Sequence, residues 1–98
     1  MNNSQVLNAF YAGRAGSSKN GAFSTDGNTL YSYGLRIATH MGAEIAVGDY
    51  TASGSYYSQT TSKHVGYARS LPGAVVFAPE IFVKLQKPPS NLNNRRVK

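Results

Sequence analysis

From residue 22 to residue 51 apolar and polar residues alternate, with glycines where a sheet would have to turn, and this restricts the segment to antiparallel β structure. Asp26-Gly27 lies between residues 22–25 and 28–33, and both residues tolerate the positive φ that a type I′ hairpin demands. From Thr29 onward the odd positions carry Tyr31, Tyr33, Leu35 and Ile37, so the odd face, including both tyrosines, is the inward one. Gly34 inside this run predicts a bend in one long strand. In residues 43–51 the odd face carries Ile45 and Val47. Matching the two odd faces sets Ile37 opposite Ile45 and Leu35 opposite Val47. The loop is then His40-Met41-Gly42, with His40 at its tip and Gly42 at the left-handed position.

Two helices flank this region. Val6, Leu7, Phe10 and Tyr11 recur on one helical face, Asn3 or Ser4 can cap it, and Gly13 ends it. The polar stretch 16–21 that follows reads as a flexible connection. It is not a phosphate-binding loop, because Ser18 rather than Gly precedes Lys19. A second helix spans residues 61–71, capped by Thr60 or Thr61 and ended by Pro72-Gly73. Its apolar arc holds His64, Val65, Tyr67, Ala68 and Leu71, and its outer arc holds Lys63 and Arg69. The apolar run 74–78 suits a central strand. In residues 81–85 Ile81, Val83 and Leu85 alternate as in a strand, while Pro79-Glu80 leaves open a helical turn.

The expected fold is therefore α+β: a small single domain over residues 1–87, with an antiparallel sheet of about four strands and two short helices. A flexible basic C-terminal tail follows over residues 88–98. With 98 residues and no cysteine, this domain must be held by packing alone, without disulfides or thiolate ligands. No signal-like N-terminus and no run of eighteen apolar residues is present, so no membrane association and a cytoplasmic location are expected.

Of the net charge of +6, most belongs to Lys84, Lys87, Arg95, Arg96 and Lys98; residues 1–83 carry five basic against four acidic side chains. Nucleic-acid binding, if it occurs, is thus expected of these five cations. With two histidines and four carboxylates, and no histidine partner at metal-binding spacing, neither a metal nor a cofactor is expected. His64 lies in the middle of an apolar arc, where a core imidazole is the simpler outcome than a general base, so the chain reads as no enzyme. The segment Thr60-Thr61-Ser62-Lys63 could hold an anion at a helix start, but ordinary capping accounts for it. Tyr50, Tyr56 and Tyr57 lie in Ser- and Gly-rich sequence that suits an adaptable recognition surface, with Lys63 and Arg69 beside it as further partner-binding residues.

The segments Leu30-Tyr31-Ser32-Tyr33-Gly34 and Tyr57-Ser58-Gln59-Thr60-Thr61-Ser62-Lys63-His64 carry a resemblance to small uncharacterised proteins of bacteriophages and archaeal viruses, which have similar LYSYG and YSxTTSKH stretches. The resemblance covers roughly residues 22–70 and implies a viral accessory protein. The expected function is non-enzymatic binding of a host protein or nucleoprotein complex, one that handles nucleic acid or serves defence, with inhibition by occlusion. Sequence-independent nucleic-acid binding through the tail and a structural role in assembly are the alternatives.

Overall fold

The computed structural model describes residues 1–51 and 58–85. Helix α1, Asn3–Tyr11, starts in a reciprocal cap: the Gln5 amide donates to Asn2 Oδ1 at 2.8 Å, and the Asn2 amide donates to Gln5 Oε1 at 2.9 Å. The cap is thus one residue earlier than the apolar spacing suggested. Val6, Ala9 and Phe10 are buried, while Tyr11 is exposed.

Six strands follow in one sheet, and their spatial order is their chain order: β1 Ala15–Ser17, β2 Phe23–Asp26, β3 Thr29–Ser32, β4 Leu35–Met41, β5 Glu44–Gly48 and β6 Ala74–Phe77. The first five form an antiparallel meander, and β6 runs parallel to β5. Helix α2, Gln59–Arg69, lies between β5 and β6 in sequence, and returning the chain to the starting end of β5 makes the last pair parallel. Helix α3, Pro79–Leu85, closes the described chain. The described residues are thus α+β, with a six-stranded mixed sheet and three helices in place of about four antiparallel strands and two helices.

Each departure has a local cause. Stretch 16–21 contributes β1, because Ser18 Oγ accepts from the Phe23 amide and Asn20 Oδ1 from the Ala22 amide, pinning the turn beside β2. Gly16 belongs there: a Cβ on it would stand 2.6 Å from Met1 Sδ and 3.3 Å from Ala9 Cβ. Residues 29–40 are not one bent strand. Tyr33 and Gly34, at φ 52° and 82°, form a turn with both central φ values positive, and Ser32 pairs with Leu35 across it. Tyr33 therefore leaves the core for the tip of a turn.

The β4–β5 register also moves. Met41 pairs with Glu44, His40 with Ile45 and Ala38 with Val47, so the loop is Gly42-Ala43 and the expected Ile37–Ile45 pairing is absent. A register shift between Leu30 and Tyr31 marks a bulge against β4, and alternation counted through it misassigns the faces. His40 consequently lies within β4, not at a loop tip. Its Nε2–H donates to the Phe10 carbonyl at 2.6 Å, with the two rings 4.6 Å apart.

Paired residues share a face, and the helices divide accordingly. α1 meets the face of Phe23, Leu30 and His40, and α2 covers the same face through contacts to Phe23 and Ser32. α3 covers the opposite face, where a Cβ on Gly48 would stand 2.6 Å from Phe82 Cδ2. This two-sided cover explains why Ile37, Ala38, Ala46 and Val47 are all inaccessible although they alternate in direction. Phe82 is the buried residue of residues 81–85, and Ile81 and Val83 are exposed, so helical periodicity replaces the expected strand.

Candidate interaction surface

The surface is built on a buried polar knot beneath α2. Ser58 caps the helix, its Oγ accepting from the Thr61 amide at 3.1 Å, so the cap precedes the Thr60 or Thr61 expected for it. Thr61 is itself fully buried; its Oγ1 lies 3.0 Å from Ser58 Oγ and 3.0 Å from Ser32 Oγ. Ser32 Oγ in turn sits 2.7 Å from His64 Nδ1. The hydroxyls of Ser58 and Thr61 are thus committed to each other, to Ser32 and to capping, and Ser62 Oγ donates to the Tyr50 carbonyl.

His64 is 3% exposed, and burial pushes its pKa below the usual histidine value. Its ring stacks on Phe23 at a centroid distance of 4.3 Å and an interplanar angle of 20°. Tyr33 and Tyr67 stand over the same imidazole, each with its ring centroid 6.3 Å from that of His64. Their outer faces remain in solvent: Tyr33 is 58% exposed and Tyr67 40%. A groove of about 280 Å³ adjoins Tyr67, lined with it by Asn3, Ser4 and Leu7 of α1.

The topology brings positive charge to this end. The chain ends β1, starts β2, ends β3 and starts β4 here, so Lys19, Tyr33 and Arg36 share one end of the meander. The Thr61–Ser32 contact fixes the first turns of α2, with exposed Lys63, to it. Asp26 and Glu44 lie at the opposite end, in the β2–β3 and β4–β5 turns, whereas Asp49 and Glu80 follow β5 and β6, which finish at the same end as Tyr33 but on its β5–β6 side. Among the described residues, the β1–β4 part of this end therefore carries lysine and arginine without a carboxylate.

The expected recognition residues are distributed differently. Tyr50 is no surface residue: it is 8% exposed, its ring meets Phe82 edge-on at 6.2 Å, and burial pushes its phenol pKa up. Tyr56 and Tyr57 lie outside the described residues. Lys63 and Arg69 are both exposed, one in the first half of α2 and the other in its last turn, so they do not converge. Lys84 is exposed at the end of α3; Lys87, Arg95, Arg96 and Lys98 fall outside the described residues, as does the expected tail 88–98.

The residues missed by sequence reasoning are Tyr33 and Tyr67. Tyr67 fell on the edge of the apolar arc, where one ring face packs and the other does not. Tyr33 was hidden by a parity count that ran through a turn, and the neighbouring Gly34 was the one signal for that turn. No helix among the described residues is long and apolar enough to cross a membrane, and no group of three His, Cys, Asp or Glu among them could hold a metal ion. No protein-family model, no curated protein and no solved structure matches this chain.

Proposed function

We propose that this chain is a non-enzymatic viral accessory protein that binds a host protein through the Tyr33–Tyr67 surface and blocks it by occlusion. The viral setting rests on the resemblance carried by the LYSYG and YSxTTSKH segments. The observation that carries the binding surface is Tyr33, an aromatic residue held at φ 52° with most of its ring in water. A non-glycine residue in the left-handed region costs roughly 1–3 kcal/mol, and an exposed ring recovers little of that through packing. Binding gives such a ring a use. Tyrosine offers a large contact area with few rotatable bonds, and Tyr67, Lys63 and the adjoining groove extend the area it can contribute.

The surface is mainly aromatic and apolar with a few scattered cations, a composition suited to a protein with an acidic rim. The serine and histidine beneath it are poor candidates for chemistry. Ser32 is fully buried and its hydroxyl is shared between Thr61 and His64, so no substrate carbonyl can reach it without α2 lifting away.

The test is capture by the full-length chain from nuclease-treated host-cell lysate, beside Tyr33→Asn and Tyr67→Ser. Asn tolerates left-handed φ, so the first variant keeps the turn while removing the ring. A stoichiometric protein partner retained by the parent and lost with both variants is the expected result. Retention by the variants, or loss of all partners after nuclease treatment, would refute the reading.

A further inference from the structure

Among the described residues β6 is an outer strand of the sheet, and the ladder to β5 fixes which of its backbone groups are spoken for. The Ile45 amide donates to the Gly73 carbonyl at 2.9 Å and the Asp49 amide to the Phe77 carbonyl at 3.0 Å. In a parallel ladder with this register, residues 73, 75 and 77 bond inward. The N–H and C=O of Val76 and the C=O of Ala74 consequently point away from the sheet. The Val76 side chain is 43% exposed, and Ile81 and Val83, just beyond on α3, are exposed as well.

The two outer strands are protected very differently. β1 is three residues long, contains Gly16, and is flanked by Arg14 and Lys19. β6 reads Ala-Val-Val-Phe, and no charged residue occurs between Arg69 and Glu80. It carries no proline or irregular pairing of its own. Charge, proline and bulges ordinarily prevent edge-to-edge pairing, and β6, at four residues little longer than β1, has none of these three.

We infer that β6 pairs with β6 of a second copy, antiparallel about a two-fold axis at Val76. The backbone is self-complementary in that arrangement. Val76 can donate its N–H to, and accept from, the Val76 of the other copy, a reciprocal pair that requires donor and acceptor on the same residue. The same register sets Val75 against Phe77, two half-buried side chains on one face, and Ala74 against Ala78, where small residues meet without crowding. The absence of charge along the strand leaves no like-charge pair across the axis. Two six-stranded sheets would then join into one of twelve strands. A contact of four residues per copy is far smaller than the roughly 800 Å² per partner of a standard interface, so the dimer dissociates on dilution. The edge is distinct from the Tyr33–Tyr67 surface, and pairing leaves that surface open on both copies.

Sedimentation velocity of the full-length chain over a concentration series up to about 1 mM, the weak limit of a specific contact, tests this. The parent should shift from monomer to dimer as concentration rises. Val76→Lys places a charge on the axis, and Val76→Pro deletes the outward N–H without touching the ladder to β5, a change tolerated on outer strands. Both should remain monomeric with the parent's circular dichroism. A parent that stays monomeric throughout overturns the inference, as does a dimer that survives both substitutions. Protection of the Val76 amide from hydrogen exchange in a dilute, monomeric parent would also overturn it, since the edge would then be covered from within the chain.

Discussion

At the residue scale, His64 and Gly48 are the positions where the account can be checked most sharply. The rings around His64 are Phe23 from β2, Tyr33 from the β3–β4 turn and Tyr67 from its own helix, and Ser32 is its hydrogen-bond partner; no carboxylate faces it among these contacts. Its pKa is lowered by burial from a usual 6.5, so the folded protein holds the imidazole neutral while the unfolded chain takes up the proton first. The contribution to stability is complete above pH 6.5 and is lost as pH falls from 6.5 towards the depressed folded value. Urea unfolding at a series of pH values should show stability declining over that window in the parent, and His64→Gln should flatten the decline. An equal decline in both would place the titrating group elsewhere. Gly48 is constrained by space, since an added methyl would meet Phe82 at 2.6 Å and Tyr50 at 2.7 Å. Gly48→Ala should cost about 1–3 kcal/mol in the same assay. Combined with Phe82→Leu it should cost less than the sum of the two single changes, because both act on one contact.

At the scale of elements, α3 is seven residues long and too short to be stable by itself, so its docking depends on Phe82. Phe82→Ala should destabilise the domain by about 3–5 kcal/mol and release Tyr50, visible as a rise in tyrosine accessibility to iodide quenching. Unchanged stability would show that α3 contributes nothing to the core. The elements also explain what the sequence disclosed. α1 and α2 were legible because each presents one apolar face to one side of the sheet, and His64 was placed correctly inside because it lies in the middle of that face. The β2–β3 hairpin was legible from Asp26-Gly27, although the two-residue loop is Gly27-Asn28, with Asp26 Oδ1 accepting from the amides of Asn28 and Thr29. β4 and β5 were legible as strands, but their register was not. Both faces of the central strands are covered, so alternation no longer distinguishes them, and the bulge at Leu30/Tyr31 shifts the count by one. The Tyr33-Gly34 turn was concealed for a different reason: an aromatic residue with left-handed φ runs against local propensity, and such conflicts concentrate at functional positions.

For the whole molecule, the body is nearly neutral over residues 1–83, and the cations at the Tyr33 end are offset by Asp49 and Glu80 on its β5–β6 side, so recognition rests on shape and aromatic area more than on net charge. The meander gathers Tyr33, Lys19 and Arg36 at one end, α2 adds Tyr67 and Lys63, and α1 completes the groove beside them. The β6 edge lies on the other side of the sheet order, five strands along from β1, so partner binding and self-pairing can occur together. Removing the Tyr33 ring should separate function from stability: Tyr33→Asn should melt at or slightly above the parent temperature, since a left-handed position suits Asn better than Tyr. A marked fall in melting temperature would mean that the ring is structural. The most direct measurement is hydrogen–deuterium exchange of the full-length chain with and without the partner it captures. Protection is expected at the Tyr33-Gly34 turn and along α2 through Tyr67, and protection confined to residues 84–98 or to β6 and α3 would contradict the account.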